Sequence, residues 1–191
     1  MKQVLITGAE SYIGKAVEKY LNKWPQMYQI DTVDMVNGAW RDKDFSKYDV
    51  VYHVAGIAHA DTGHVSEEKK AFYYKINTNL AIETAKKAKA DGVKQFIFMS
   101  SAIVYGDSAP IGEKKVIKAG MEAHPVSFYG DSKLQAEKGI IPLQDNSFKV
   151  VILRPPMIYG KGSKGNYPVL SKLAQRLPIF PYVDNQRSML Y

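Results

Sequence analysis

VLITGAESYIG, residues 4–14, is the stretch whose reading decides the fold of this chain. Val4, Leu5, Ile6 and Thr7 form a short apolar and β-branched run that predicts a buried strand. Gly8 then ends it with a residue free to take positive φ. Beyond the turn, Ile13, Ala16, Val17, Tyr20 and Leu21 recur at helical spacing. The stretch therefore predicts strand, tight turn and helix, with the first unpaired amides of the helix delivered to the edge where the strand stops. Such a helix start attracts anions, phosphate foremost. The spacing Gly8, Ser11, Gly14 is a G-x-x-G-x-x-G pattern with serine in the middle, where a glycine would let a pyrophosphate approach the backbone closely.

Residues 29–33 read as a second strand ending at Asp34, twenty residues beyond Gly14. A dinucleotide fold places there the carboxylate that takes the adenosine ribose hydroxyls. No arginine follows at once to meet a 2′-phosphate, so Asp34 favours NAD over NADP. Each signal has a plainer alternative: a strand-turn-helix that holds no ligand, and an aspartate that merely ends a strand.

At 191 residues the chain has room for one substantial core, and one domain is expected. The absence of cysteine excludes a disulfide framework, a thiol nucleophile and a cysteine-based zinc site. The net charge of +7 comes from scattered lysines without a basic run or a basic-aromatic ladder, so nucleic acid is not expected as a partner. No apolar stretch approaches the length of a membrane span and none reads as a signal peptide, which points to a cytoplasmic protein.

Further along, Trp24 and Pro25 close the first helix, and residues 35–46 are polar and too few for a crossover helix, so a loop or single turn is expected. Residues 49–55 (DVVYHVA) read as a third strand leading into Gly56. The following His59, Asp61 and His64 fit no metal-ligand spacing, and no metal is expected. One long helix is predicted over 66–91, ended by Gly92, with Asn77, Leu80, Ala81, Thr84, Ala85 and Ala88 facing the sheet. A buried Asn77 either ties a neighbouring loop or lies under an active site. Residues 95–99 form a fourth strand that ends in Ser100 and Ser101, on the same edge as Gly8 and Asp34. A long connection, 106–128, is of the length that usually carries function. The next helix opens with Tyr129, Gly130, Asp131, Ser132, Lys133, and residues four apart share a face, so the ammonium is expected near the phenol. A phenol ordinarily loses its proton near pH 10. A nearby cation, and the positive ring of an oxidised nicotinamide, favour the phenolate and bring it toward general-base range. Taken alone, Y-x-x-x-K is also compatible with surface packing.

Taken together and in this order, these motifs resemble the short-chain dehydrogenase/reductase superfamily, specifically its extended branch of NAD-dependent nucleotide-sugar epimerases and dehydratases. TGAESYIG is similar to the family's glycine turn, HVAG to its third strand end, INTN to its helix asparagine motif, SSAIVYG to its serine strand, YGDSK to its Tyr/Lys helix and LRPPMIYGKG to its L-R-x-x-N-x-x-G segment. The resemblance covers nearly the whole chain. It implies an α/β fold, a Rossmann-type doubly wound parallel sheet in which 1–191 is the NAD-binding domain and 155–191 begins a substrate-binding region. The family continues well past Tyr191, so the C-terminal substrate lobe is expected to be largely missing, with NAD bound better than a nucleotide sugar is turned over. Residue by residue, it implies Tyr129 as general base, Lys133 as the group that binds the nicotinamide ribose and lowers the phenol's pKa, and Ser101 as hydrogen-bond partner of the reacting hydroxyl. It implies a cofactor site made of Gly8, Ser11, Tyr12, Ile13, Gly14, Asp34, Val54, Ala55, Gly56, Asn77, Lys133 and Pro156, with the Tyr12 and Ile13 backbone on the pyrophosphate. Asn166 and Arg187 match residues that touch the nucleotide and diphosphate of the substrate.

The implied chemistry is C4 epimerisation of a nucleotide sugar with NAD. The related 4,6-dehydratases carry Thr-Asp-Glu where this chain has Ser101, Ala102 and Ile103, so dehydration is not expected. Ser11 in place of the middle glycine and Met157 in place of an asparagine depart from the pattern, and they leave pyrophosphate contact and sugar identity open. The rival readings are a sugar dehydrogenase or reductase of the same superfamily and a non-catalytic dinucleotide-binding module. By the same resemblance, helices at 66–91 and 129–140 would form a homodimer face.

Overall fold

The alternation that starts at Val4 runs through a whole sheet. The computed structural model describes residues 1–58, 65–110, 112–163, 166–179 and 186–191. In it β1 (Lys2–Thr7) lies between β2 (Tyr28–Val33) and β3 (Val50–His53), followed outward by β4 (Gln95–Met99) and β5 (Lys149–Leu153). The order is β2-β1-β3-β4-β5 and all four pairings are parallel. Because β2 and β3 flank β1 on opposite sides, the chain changes direction across the sheet at β1. A crevice therefore opens above the carboxyl ends of β1 and β3.

Successive side chains point to opposite faces, and each face is apolar. Val4, Ile6, Tyr52 and Val54 form one layer with Ile97 and Met99, and Ile13 and Val17 of α1 (Tyr12–Leu21) pack on it. On the other face Leu5, Val51, Phe96 and Phe98 meet α3 (Leu80–Ala90) through Leu80, Ala81, Ala85 and Ala88, and α4 (Phe128–Ile140) through Ala136 and Ile140. Helices on both faces make the sheet doubly wound.

Several local expectations are corrected. Only part of the predicted α1 stripe is covered: Ala16 is exposed, and Tyr20 is 56% exposed, standing edge-on to Trp24 at 4.8 Å. The helix stops at Leu21 rather than at Pro25, because the Lys23 and Trp24 amides bond three residues back, to Tyr20 and Leu21, and tighten the chain out of α geometry. The link over 35–48 is short, with one 3₁₀ turn at Ala39–Arg41, but it is not polar inside. Met35, Trp40, Phe45 and Tyr48 fill the core where a crossover helix would otherwise lie. The third strand ends at His53, two residues before Ala55.

The predicted helix over 66–91 is three segments: α2 (Glu67–Tyr73), a π-helical stretch Tyr74–Asn79, and α3. The inward stripe is buried as read, and the wider π turn sets Asn77 and Thr78 both inward, where each bonds Ser132 of α4. Gly92 takes φ +83° and ends α3. After β5, a separate two-stranded parallel sheet pairs β6 (Met157–Ile158) with β7 (Met189–Leu190), and α5 (Asn166–Arg176) lies between them in sequence.

Two consequences are measurable. Ser11 is the N-cap of α1, extended at φ −71°, ψ 145°, and its Oγ accepts the Gly14 amide at 2.9 Å. Ser11→Ala will cost about 1 kcal/mol in urea unfolding and Ser11→Gly only a few tenths. The second concerns His53, which is fully buried, meets Thr7 Oγ1 through Nδ1 at 2.9 Å and stacks on Phe96 and Phe98 at 5.8 and 6.0 Å. Burial, and secondarily the Lys133 charge, pull its pKa down to about 3. The native state keeps this ring neutral while the unfolded chain takes up a proton below about pH 6.5, so stability falls as pH drops through the window between those values. Between pH 6.5 and 5 the protein will lose about 2 kcal/mol by urea unfolding, and His53→Phe will flatten that slope.

Candidate functional site

The turn after β1 is built around a contact that only glycine permits. Gly8 sits at φ +79°, and a Cβ there would stand 2.9 Å from both the Cα and the N of Ala55. Its own amide bonds the Val33 carbonyl and its carbonyl takes the Ser11 amide, both at 2.9 Å. At Gly14 a Cβ would meet Ser11 Oγ at 2.6 Å and Val54 Cγ2 at 3.2 Å, so turn, helix and third strand close on one another. Of the helix's leading amides, Gly14 is taken by Ser11 Oγ and Lys15 by the Ser11 carbonyl. Among the described residues nothing takes up those of Tyr12 and Ile13, which leaves two adjacent donors at the positive end of a helix above the crevice. Asp34, exposed at the end of β2, accepts the Val36 amide through Oδ1 at 3.0 Å, and this Asx turn holds its carboxylate in place.

The floor of the site is a set of buried polar groups. A Cβ at Gly56 would lie 3.1 Å from both Asn77 Oδ1 and Lys133 Nζ, so the loop after β3 runs directly over both side chains. Asn77 is fully buried and satisfied: Oδ1 accepts the Ile57 amide at 2.8 Å, and Nδ2 donates to the Ile57 carbonyl at 3.0 Å and to Ser132 Oγ at 3.1 Å. Ser132 Oγ in turn donates to the Tyr129 carbonyl at 2.8 Å, which ties the loop after β3 to the first turn of α4. Lys133 is buried, donates to the Met99 carbonyl at 2.9 Å and lies 4.9 Å from the centre of the Phe98 ring. Burial pulls its pKa down to about 8, against the charge of Glu137, which pushes it up.

Ser101 caps the 3₁₀ turn Ala102–Tyr105 at the end of β4 through a 3.3 Å bond from the Ile103 amide, and Tyr129 stands in the first turn of α4 with its ring edge-on to Tyr73 at 6.4 Å. Burial raises the phenol's pKa. In the chain alone the Lys133 ammonium is turned to the strand carbonyl beneath it.

Ser101, Tyr129 and Lys133 thus stand at one edge of the sheet, with Gly8, Ser11, Tyr12, Ile13 and Gly14 across the crevice and Val54, Ala55, Gly56 and Asn77 between. Pro156 is half-buried just beyond β5, beside Pro155, whose carbonyl takes the Ala102 amide. Asn166 begins α5, with its side chain outside the described residues, and Arg187 stands two residues before β7. His59, Asp61 and His64 lie outside the described residues. Among the described residues no group of three or more potential ligands could hold a metal ion, and no helix is long and apolar enough to cross a membrane. The sequence reading passed over Ser132, Tyr105, Glu137 and Arg154. The available signal was Glu137, which continues the Tyr129, Lys133 spacing by one more helical turn.

Comparison with known proteins places this geometry. UDP-glucose 4-epimerase of Vibrio cholerae is 32% identical over 212 aligned residues, which take in 99% of this chain and 62% of that protein. Methionine adenosyltransferase 2 subunit beta of Pongo abelii is 28% identical over 85% of this chain and 49% of its own length. The chain thus spans about half to three fifths of these relatives. Among solved structures, MoeE5 in complex with UDP-glucose and NAD superimposes on 91% of this chain and 60% of its own with a TM-score of 0.73 at 22% identity, a likeness of fold. Residues 4–179 match the family described as NAD dependent epimerase/dehydratase, and the chain belongs to that family.

Proposed function

We propose that this chain holds NAD across the β1–β3 crevice and serves a nucleotide-sugar 4-epimerase. The observation that carries the reading is the buried Lys133 of α4 bonded to the Met99 carbonyl at the end of β4, which brings the helix that carries Tyr129 and Lys133 onto the strand end that carries Ser101. The fit of the cofactor rests on the glycine turn pressed against Ala55, the two unclaimed amides of Tyr12 and Ile13, and the fixed carboxylate of Asp34 at the end of β2. The UDP-glucose 4-epimerase of Vibrio cholerae and the family description support it.

When bound, NAD supplies hydride acceptance and return at one sugar carbon. The protein's part is proton management and placement. Ser101 hydrogen-bonds the reacting sugar hydroxyl, and Tyr129 takes its proton and returns one to the same oxygen after the keto sugar has turned over. Lys133, close to Gly56, would bind the nicotinamide ribose. Inversion at one carbinol through a ketone consumes no net oxidant. With Ala102 and Ile103 following Ser101, no carboxylate stands there to expel water, which argues for epimerisation over dehydration. Val54, Ala55 and Pro156 complete the walls, Asn166 and Arg187 receive the nucleotide end of the substrate, and residues 155–191 open the substrate region. Pairing of two copies through the helical segments of 66–91 and 129–140 belongs to the same proposal, as does a cytoplasmic location.

A second reading is a non-catalytic dinucleotide-binding module acting as a subunit of another protein, a part suggested by the subunit that stands among the relatives. Incubation of a version extended to the full length of the relatives with NAD and UDP-galactose, or UDP-N-acetylgalactosamine, separates the readings. The C4 epimer without NADH is the expected product; accumulating NADH means a dehydrogenase, and bound NAD with neither product means the binding subunit. Tyr129→Phe will lower kcat at least about 100-fold and leave the NAD Kd within about 3-fold. NAD will raise the melting temperature more than NADP does, and the reverse order would remove the role given to Asp34.

A further inference from the structure

The two sides of the candidate site converge on one buried ion pair. Glu137 is 1% exposed and lies four residues after Lys133 and eight after Tyr129 on α4, so the three share a stripe of that helix. Its carboxylate accepts the Ser100 hydroxyl at 2.5 Å and Arg154 Nε at 3.0 Å, and a bond from Arg154 Nη2 completes a two-pronged fork. The third guanidinium nitrogen, Nη1, donates to the Tyr105 hydroxyl at 2.6 Å, and the guanidinium carbon lies 4.9 Å from the centre of that ring. Ser101 sits between two of these anchors. Ser100 precedes it, and Tyr105 closes the 3₁₀ turn that it caps. On either side of Arg154, the Leu153 carbonyl takes the Ser100 amide and the Pro155 carbonyl takes the Ala102 amide, at 2.8 and 2.9 Å.

We propose that Glu137 and Arg154 are positioning residues that hold the Ser101 turn and the Tyr129–Lys133 face of α4 in one frame, so that hydroxyl, phenol and ammonium meet. The proposal rests on the reading of those three as the reacting set. An ion pair taken out of water is a poor device for stability alone, since a well-packed apolar pair of similar volume often serves a fold as well or better. An apolar pair cannot grip Ser100, Tyr105 and α4 at once. A charge consequence follows from the same layout. Lys133 faces Glu137 from its own helix, and from β3 it faces His53, which stays neutral; the Met99 carbonyl of β4 accepts its proton. With Glu137 uncharged, the Arg154 cation would act on Lys133 unopposed.

The test uses the whole chain labelled with ¹³Cε-lysine, with the Lys133 signal identified by its loss in Lys133→Met. Its titration midpoint is compared in wild type, in Glu137→Gln, and in the apolar double variant Glu137→Met with Arg154→Met. In Glu137→Gln the proton affinity of Lys133 will fall about tenfold. The double variant will unfold at a urea concentration close to wild type, while its Lys133 midpoint stays low and its NAD Kd stays at least about tenfold weaker. A double variant with wild-type stability, a Lys133 midpoint within about 0.3 of a pH unit and an NAD Kd within about twofold of wild type would overturn the proposal and leave the pair a feature of stability. The Lys133 signal is read without cofactor or substrate. If the wild type failed to bind NAD, that would overturn the reading of the site, and the midpoint alone would still decide the role of the pair.

Discussion

The constraint on which the site depends is the approach of the turn after β1 to the backbone of Ala55. A side-chain carbon at Gly8 would crowd the Cα and N of Ala55 at 2.9 Å. Two parallel strands whose exit loops touch backbone to backbone must leave the sheet at the same height and then part, one into α1 and the other over Asn77 and Lys133. The crevice is what remains between them. Its lining is consequently main chain: helix amides on one side and the Val54–Gly56 loop on the other. Backbone donors held this way cost nothing to reorganise when an anion arrives. The same approach explains the serine at position 11. Its extended φ is open to any residue, its side chain lies against Gly14, and its hydroxyl caps the one amide at that corner which points away from the opening.

Opposite the turn, the fold bears an unusual burden of buried polarity. Asn77, Thr78 and Ser132 are buried between the π-helical stretch and α4, Lys133 and Glu137 are buried on α4 toward the ends of β4 and β5, and each has a partner in the chain. Polar groups in such a layer specify a single register, because any slip strands one of them without a partner at a cost of about 1–3 kcal/mol. The π turn belongs to this logic. In a regular α-helix Asn77 and Thr78 would diverge by a full residue step, whereas the widened turn lets both reach Ser132, one at its hydroxyl and one at its carbonyl. Helix position is then set by polar contacts near the site and by alanines farther down, where Ala81, Ala85 and Ala88 let α3 lie close on the sheet.

Most of the architecture was legible in the residues. Strands β1, β2, β4 and β5 follow from apolar runs bounded by turn residues, and the α3 stripe from its period, because burial on a sheet leaves a periodic trace. The aromatic filling of 35–48 left none: Trp40, Phe45 and Tyr48 sit at irregular spacing in a polar stretch, and only the gap above the sheet shows that they must turn inward. The π segment is hidden for a similar reason, since its composition is that of any helix. At the site, glycines, Asp34, Ser101, Tyr129 and Lys133 announce themselves by spacing. Glu137 and Arg154 do not, because a charged residue on a helix and another at a strand end read as solvated surface until the fold brings them together. The direction of Lys133 toward the Met99 carbonyl is likewise hidden, because helical spacing fixes which face a side chain leaves from and says nothing of the carbonyl beyond its tip.

That direction matters for how the pair can work. Both titratable members of the site are pushed toward neutrality by burial: the phenol upward, and the ammonium down to about 8. A neutral phenol is a weak base, yet a site of low polarity magnifies any positive charge that enters it. The helix amides and the Glu137-supported Lys133 are the fixed polar elements, and they sit on the two sides of the crevice. Burial keeps the Tyr129 phenol protonated in the resting chain. A cationic group brought into the gap between those elements would lower the phenol's proton affinity, which is how a buried phenol and a positive ligand come to act on each other.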